Sequence, residues 1–149
     1  MTVEHPFNKI VEGIGVSDIR QFDAEVSSIP GIIKLTLGEP NFDTPEHIKE
    51  AAIQAIKDNH SHYTPNSGIP ELRQAAAEYY NKKFNFNYTG DQVITTIGAT
   101  EGIAASLQAI LNPGDTVIVP TPVFPLYLPI TLVNQGNFIT VDTSEDGFV

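Results

Sequence analysis

The sequence predicts an α/β protein organised around a parallel sheet, and three observations carry that reading. Short β-branched runs recur at Val93–Ile97, Thr116–Val119 and Phe138–Val141, with longer connections between them than a hairpin needs. The connection from the first to the second contains a stretch rich in alanine and leucine with apolar residues at helical spacing. The run at Thr116–Val119 is short and largely apolar, of the type buried in a parallel sheet. Alternation of strand and helix in this order argues for parallel pairing.

Taken in order, Ser17 is placed to cap a short helix over Asp18–Ser27, with Ile19, Phe22 and Val26 on one face. Pro30-Gly31 ends it, and Ile32–Leu37 reads as a short strand leading into a loop through Gly38, Pro40 and Asn41. Thr44-Pro45-Glu46 has the form of a helix start: a capping hydroxyl, then a proline. That helix carries Ile48, Ala52, Ala55 and Ile56 and is expected to end near Asn59. A polar loop over residues 60–68 contains Tyr63-Thr64-Pro65. Pro70 opens the next helix, whose expected stripe is Leu72, Ala75, Ala76 and Tyr79, with Lys82 and Lys83 suited to its C-terminal end. After the strand at Val93–Ile97, a helix over Ala99–Leu111 presents Ile103, Leu107, Ile110 and Leu111. Asn112-Pro113-Gly114-Asp115 is a turn before the second strand. Phe124–Val133 has room for a helix, with Pro125 and Pro129 working against it, and Gln135-Gly136-Asn137 turns the chain into the last strand.

Composition narrows the function classes. The chain has 149 residues, 41% hydrophobic, with 8 basic and 18 acidic side chains and a formal net charge of −10. That balance argues against a nucleic-acid surface, which needs concentrated positive charge. There is no cysteine, and no apolar run long enough to span a bilayer. Together with a start that lacks a signal-peptide pattern, this points to the cytoplasm. Four histidines occur without an accompanying ligand set, so no metal site is expected. Dinucleotide-type GxGxxG and Walker-type loops are absent.

The residues that suggest chemistry lie between Val93 and Leu128. Gly98, Ala99 and Thr100 stand at a helix start, where free backbone N–H groups and the helix dipole favour an anion. On spacing alone an ordinary strand-to-helix turn is the default, with Glu101 satisfying the helix end. Phe124 and Tyr127 follow on a proline-rich loop and offer an aromatic face for a planar ring, although core packing is the usual role of such residues. Tyr63 serves either as a phosphate donor or as a loop anchor, and Gly38 and Asn41 flank a loop after a strand, where ligands often sit.

Four segments shift that balance: LTLGEPNFDTPEHI at 35–48, YTPNSGIPELRQA at 63–75, ITTIGATEGI at 94–103 and LNPGDTVIVPTPVFPLY at 111–127. In order and spacing they resemble the N-terminal part of a fold type I pyridoxal-phosphate-dependent aminotransferase of the aspartate aminotransferase class. The resemblance covers nearly everything from Val16 onward. It implies a partial three-layer αβα large domain, with residues 46–149 as the incomplete cofactor-binding part and 1–45 as an N-terminal arm and small-domain segment.

It also implies pyridoxal 5'-phosphate as cofactor, with Ala99 and Thr100 at its phosphate, Phe124 stacked on its ring, and Tyr63 reaching the phosphate of a neighbouring subunit. Gly38 falls beside the substrate carboxylate. The substrates implied are an amino acid and a 2-oxo acid, and the assembly a homodimer with shared active sites. The Schiff-base lysine, the aspartate at the pyridine nitrogen and the arginine for the substrate carboxylate all fall beyond Val149 in such proteins. The expectation is therefore that the sequence is the front part of a longer chain and that residues 1–149 alone are inactive. A β-lyase or decarboxylase of the same fold, or a noncatalytic binding module, are the alternatives.

Overall fold

The computed structural model describes residues 7–145 and 147. It contains six α-helices, α1 (Lys9–Glu12), α2 (Asp18–Val26), α3 (Glu46–Lys57), α4 (Pro70–Phe84), α5 (Gly98–Ile110) and α6 (Tyr127–Val133), and two strands, β1 (Thr116–Thr121) and β2 (Asn137–Asp142). The chain divides into two compact units, one formed by residues 1–36 with 97–149 and the other by 37–96.

In the first unit β1 and β2 pair in parallel, from Thr116 opposite Asn137 to Thr121 opposite Asp142, with α6 as the crossover. This is the parallel α/β arrangement that the alternation predicts. Val119 and Ile130 are buried, and Thr131 is fully enclosed. The Thr131 hydroxyl donates to Tyr127 O at 2.8 Å, so its burial leaves no polar atom unpaired. Pro129 falls within the first turn of α6, where a missing N–H costs little, so the helix forms despite it. Pro125 stays in the loop ahead of α6.

The turn feeding β1 is held by charge-assisted bonds. The Asp115 carboxylate accepts the Asn112 backbone N–H at 2.7 Å and its side-chain amide at 3.2 Å. Those two bonds hold the Asp115 carboxyl below the ordinary aspartate value of 3.8, the backbone bond contributing most. A carboxyl lowered in the folded state stabilises above its unfolded value and loses that contribution as pH falls through the folded one. The turn is therefore expected to hold unchanged from neutral pH down to about 4 and to loosen below 3.8. The Asn112 amide chemical shift should follow that titration, and in Asp115→Asn it should not move over the same range.

Ile32–Leu37 is not a strand. Its alternation is real, however: the Lys34 ammonium reaches Asp23 at 3.4 Å and Ser27 Oγ at 3.1 Å, and the Thr36 hydroxyl donates to Asp23 on α2. Ile33 and Leu35 face outward, 86% and 92% exposed. The segment has strand periodicity, but its polar side chains turn onto a helix, and among the described residues no strand pairs with it. These contacts lower the Asp23 pKa, the Thr36 bond first and Lys34 after it.

The second unit is built on α3 and α4. Thr44 does not cap α3: Pro45 occupies the N-cap, and the helix ends at Lys57, where Asn59 turns into a left-handed conformation. Pro70 stands at the start of α4 as expected. The inward face of α4 follows the expected stripe only at Ala76, which is half-buried. Ala77 is the buried residue, Arg73 is turned in beside it, and Leu72 and Tyr79 are about half exposed. The reason lies in what α4 packs against. Arg73 Nε donates to Val93 O at 2.8 Å and its guanidinium reaches Asp91, while Asn81 exchanges two hydrogen bonds with the Tyr88 backbone. An aromatic series Tyr80–Phe84–Phe86–Tyr88 follows the same side, with ring centroids 5.3–5.8 Å apart.

Val93–Ile97 also forms no strand. Thr95 N–H donates to Ser67 O at 2.9 Å and Val93 N–H to Gly90 O at 3.2 Å, bonds to loop and turn residues rather than to a ladder. Among the described residues, only β1 and β2 have the paired partner that a strand requires.

Candidate functional site

The functional candidates of the first unit lie at the N-terminal end of α5 and on the segment between β1 and α6. Gly98 takes φ +73°, a left-handed conformation that an L-residue with a side chain adopts at a cost, and this turns the chain into the helix. An added Cβ would meet nothing within 4 Å, so backbone conformation rather than crowding calls for glycine here. Ala99 and Thr100 form the first turn of α5, where N–H groups lack an acceptor within the helix. Glu101 folds back so that its carboxylate accepts the Ile97 N–H. That is the end-satisfying role its position suggests, and it holds the residue just ahead of the turn.

Ala99 opens onto a groove of about 610 Å³ between α5, β1 and the start of α6, to which Gly102 and Ser106, Val119 and Pro120, and Tyr127 also contribute. Among the described residues no charged side chain lines it. An anion there is met by backbone N–H groups and the helix dipole, beside the Glu101 carboxylate that is turned back onto Ile97 N–H. The Ser106 hydroxyl is already committed to Gly102 O at 2.7 Å. Thr100 shares the turn with Ala99 but is not part of the wall.

Phe124 lies between β1 and α6, on the segment that follows the cis Thr121–Pro122 peptide. Its ring meets Tyr127 edge to face, with centroids 6.4 Å apart and planes at 89°, and it is 52% exposed. One side of the ring is thus fixed by an aromatic neighbour while half its surface stays open for another flat group. The structure brings Ala99, Tyr127 and Phe124 into one connected surface. Tyr127 is the link, lining the groove and bracing Phe124; the only trace of that in the sequence is its three-residue spacing from Phe124 on the proline-rich loop.

Tyr63 and Gly38 belong to the second unit. Tyr63 is fully exposed in the loop between α3 and α4, and Gly38 lies in an open loop with nothing within 4 Å of an added Cβ. Arg73 and Gly68 had no place among the sequence candidates, yet they fasten that loop and the segment after it. Their signal was present only as Gly68 closing a Pro65-Asn66-Ser67-Gly68 turn.

Comparison with known proteins decides the family. A family model for class I and II aminotransferases matches residues 30–149. The chain belongs to the class I and II aminotransferase family. Among curated aminotransferases, it is 44% identical over 147 residues to a probable N-acetyl-LL-diaminopimelate aminotransferase of Bacillus subtilis, covering 98% of this chain and 37% of the relative. It is 41% identical over 130 residues to an aspartate aminotransferase of Pyrococcus horikoshii, covering 87% and 33%. Among solved structures, the aspartate aminotransferase of Thermus thermophilus with maleate superposes with a TM-score of 0.90 at 35% identity, covering 97% of this chain and 39% of that one. The chain spans roughly a third of the length of these aminotransferases, and over that length it has their α/β fold, of which β1, α6 and β2 are one parallel unit. Among the described residues no helix is long and apolar enough to cross a membrane.

Proposed function

We propose that the protein to which this chain belongs is a pyridoxal-phosphate-dependent aminotransferase, moving an amino group between an amino acid and a 2-oxo acid. The observation that carries this is the groove along α5, lined by Ala99 and Tyr127 with no charged side chain among the described residues, together with the Phe124 ring packed against Tyr127. The donor set fits a phosphorylated pyridine: helix-start N–H groups for the phosphate and a half-open aromatic face for the ring. The names of the related proteins, which are aminotransferases acting on aspartate or N-acetyl-LL-diaminopimelate, support the same reading.

In this reading Ala99 and Thr100 hold the phosphate, Thr100 adding a hydroxyl donor, and Phe124 stacks on the ring. Pyridoxal phosphate when bound supplies the aldehyde and the electron-accepting ring on which transamination depends. The chain's own residues anchor it, orient its plane and shield one of its faces from water. Gly38 leaves the backbone open to a substrate carboxylate, and Tyr63 donates to the phosphate of a partner subunit in a cytoplasmic homodimer. Residues 46–149 form part of the cofactor-binding large domain, and 1–45 an arm and small-domain segment.

Residues 1–149 alone should not transaminate, because none of the six lysines lines the groove. Phe124→Ala in the full-length protein should weaken pyridoxal phosphate binding by roughly 3–10-fold, the worth of one aromatic stacking contact. Transamination by the purified 149-residue chain would overturn the expectation that it is inactive alone, and an unchanged dissociation constant for Phe124→Ala would overturn the cofactor-stacking assignment.

A further inference from the structure

We infer that Gly68 is a positioning residue for Tyr63, setting the direction from which its hydroxyl reaches a phosphate. The inference rests on the reading of Tyr63 as a cofactor donor given above. Tyr63 is fully exposed, so no neighbour orients its ring, and the loop backbone alone decides where it points. That backbone is restrained step by step. Thr64 precedes a proline and is held to extended conformations, and Pro65 has a fixed φ. Gly68 N–H closes the turn onto Pro65 O at 2.9 Å. Ser67 O then accepts the Thr95 N–H at 2.9 Å, which ties the turn to the segment three residues ahead of Gly98.

Gly68 is the tightest point of this chain of restraints. Its φ is +96°, outside the range that L side chains normally adopt. A Cβ added there would lie 2.3 Å from Thr95 Oγ1 and 2.7 Å from Thr95 Cβ. The second of those atoms is one bond from the backbone and cannot swing away. Any side chain at position 68 therefore moves the turn off Thr95, and Tyr63 moves with it. The four-residue turn transmits the displacement because Pro65 leaves it little freedom to absorb it.

The test uses the full-length protein, with pyridoxal phosphate and phosphate-free pyridoxal as paired probes and calorimetric dissociation constants as the readout. Gly68→Ala is expected to weaken pyridoxal phosphate about tenfold and pyridoxal less than twofold, and to weaken nothing further in a Tyr63→Phe background. Equal losses for both probes would make Gly68 merely structural and overturn the inference. So would a phosphate-specific loss that persists with Tyr63→Phe. If Tyr63→Phe alone leaves pyridoxal phosphate binding unchanged, the donor role of Tyr63 fails and the inference with it, whereas Phe124→Ala still reports on the cofactor-stacking assignment. Should Gly68→Ala not fold, Thr95→Ala removes the wall instead of striking it. The same three comparisons then apply, with a smaller phosphate-specific loss expected and the same outcomes overturning the inference.

Discussion

Ala99→Asp in the full-length protein is expected to weaken pyridoxal phosphate binding by about two to three orders of magnitude while leaving α5 folded. The two halves of that expectation come from the same feature. Position 99 is in the first turn of a thirteen-residue helix, where a carboxylate is favourable to the helix itself. It also lines a groove with no charged wall among the described residues, so a new carboxylate there meets a bound phosphate with no cation in the wall to compensate it. Two unit charges about 4 Å apart interact by ~4 kcal/mol at an effective dielectric near 20, and the open mouth of the groove reduces that through solvent screening. Ala99→Ser, which adds a donor and no charge, should bind within a few-fold of the parent. Pyridoxal, which lacks the phosphate, should hardly distinguish Ala99→Asp from the parent, and added salt should narrow the gap for the phosphorylated form. Equal affinity of both variants for pyridoxal phosphate would remove the phosphate from the α5 start.

What was legible in the sequence was what local chemistry determines. The turn at Gly98 needs a left-handed residue, Pro70 suits the first helical position, and the β-branched runs at 116–119 and 138–141 each found a parallel partner. Family and fold were legible too, because four separated motifs keep their order and spacing, and the match over residues 30–149 agrees with them. The two strand misreadings have one cause. Ile32–Leu37 and Val93–Ile97 have strand periodicity, but a strand is a pair, and the contacts of both segments go elsewhere: Lys34 and Thr36 to Asp23, and Thr95 to Ser67. Periodicity describes one chain segment and says nothing of what lies beside it. The inward face of α4 was misread for a related reason. Arg73 is turned inward because Val93 O and Asp91 satisfy its guanidinium, and such partners lie 18 to 20 residues away in sequence.

Gly136→Val is expected to destabilise the β1–α6–β2 unit by roughly 2–4 kcal/mol, and the loss should reach the aromatic face of the groove. Gly136 joins α6 to β2, and its N–H donates to Thr131 O at 3.0 Å. A Cβ added there would lie 3.0 Å from Thr131 Cγ2 and 3.3 Å from both Thr131 O and Asp115 O. Thr131 is fully enclosed and its hydroxyl is bonded to Tyr127 O, so it cannot retreat without breaking a buried hydrogen bond. The Asp115 carbonyl is equally fixed, since it accepts the Asn137 N–H at 2.7 Å beside a Gly114–Gln135 bond of 2.8 Å. Overpacking at this joint therefore pushes on α6 from its C-terminal end, and Tyr127, at the other end of that helix, shifts with it. Amide exchange should accelerate at Asn137 and Gly114, and the near-ultraviolet signal of Tyr127 should weaken together with the affinity for pyridoxal phosphate. Thr131→Ser keeps the hydroxyl and removes the methyl in the way. Combined with Gly136→Ala it should recover part of the loss that Gly136→Ala causes alone, and strict additivity of the two would show that the methyl contact is not what makes glycine necessary at position 136.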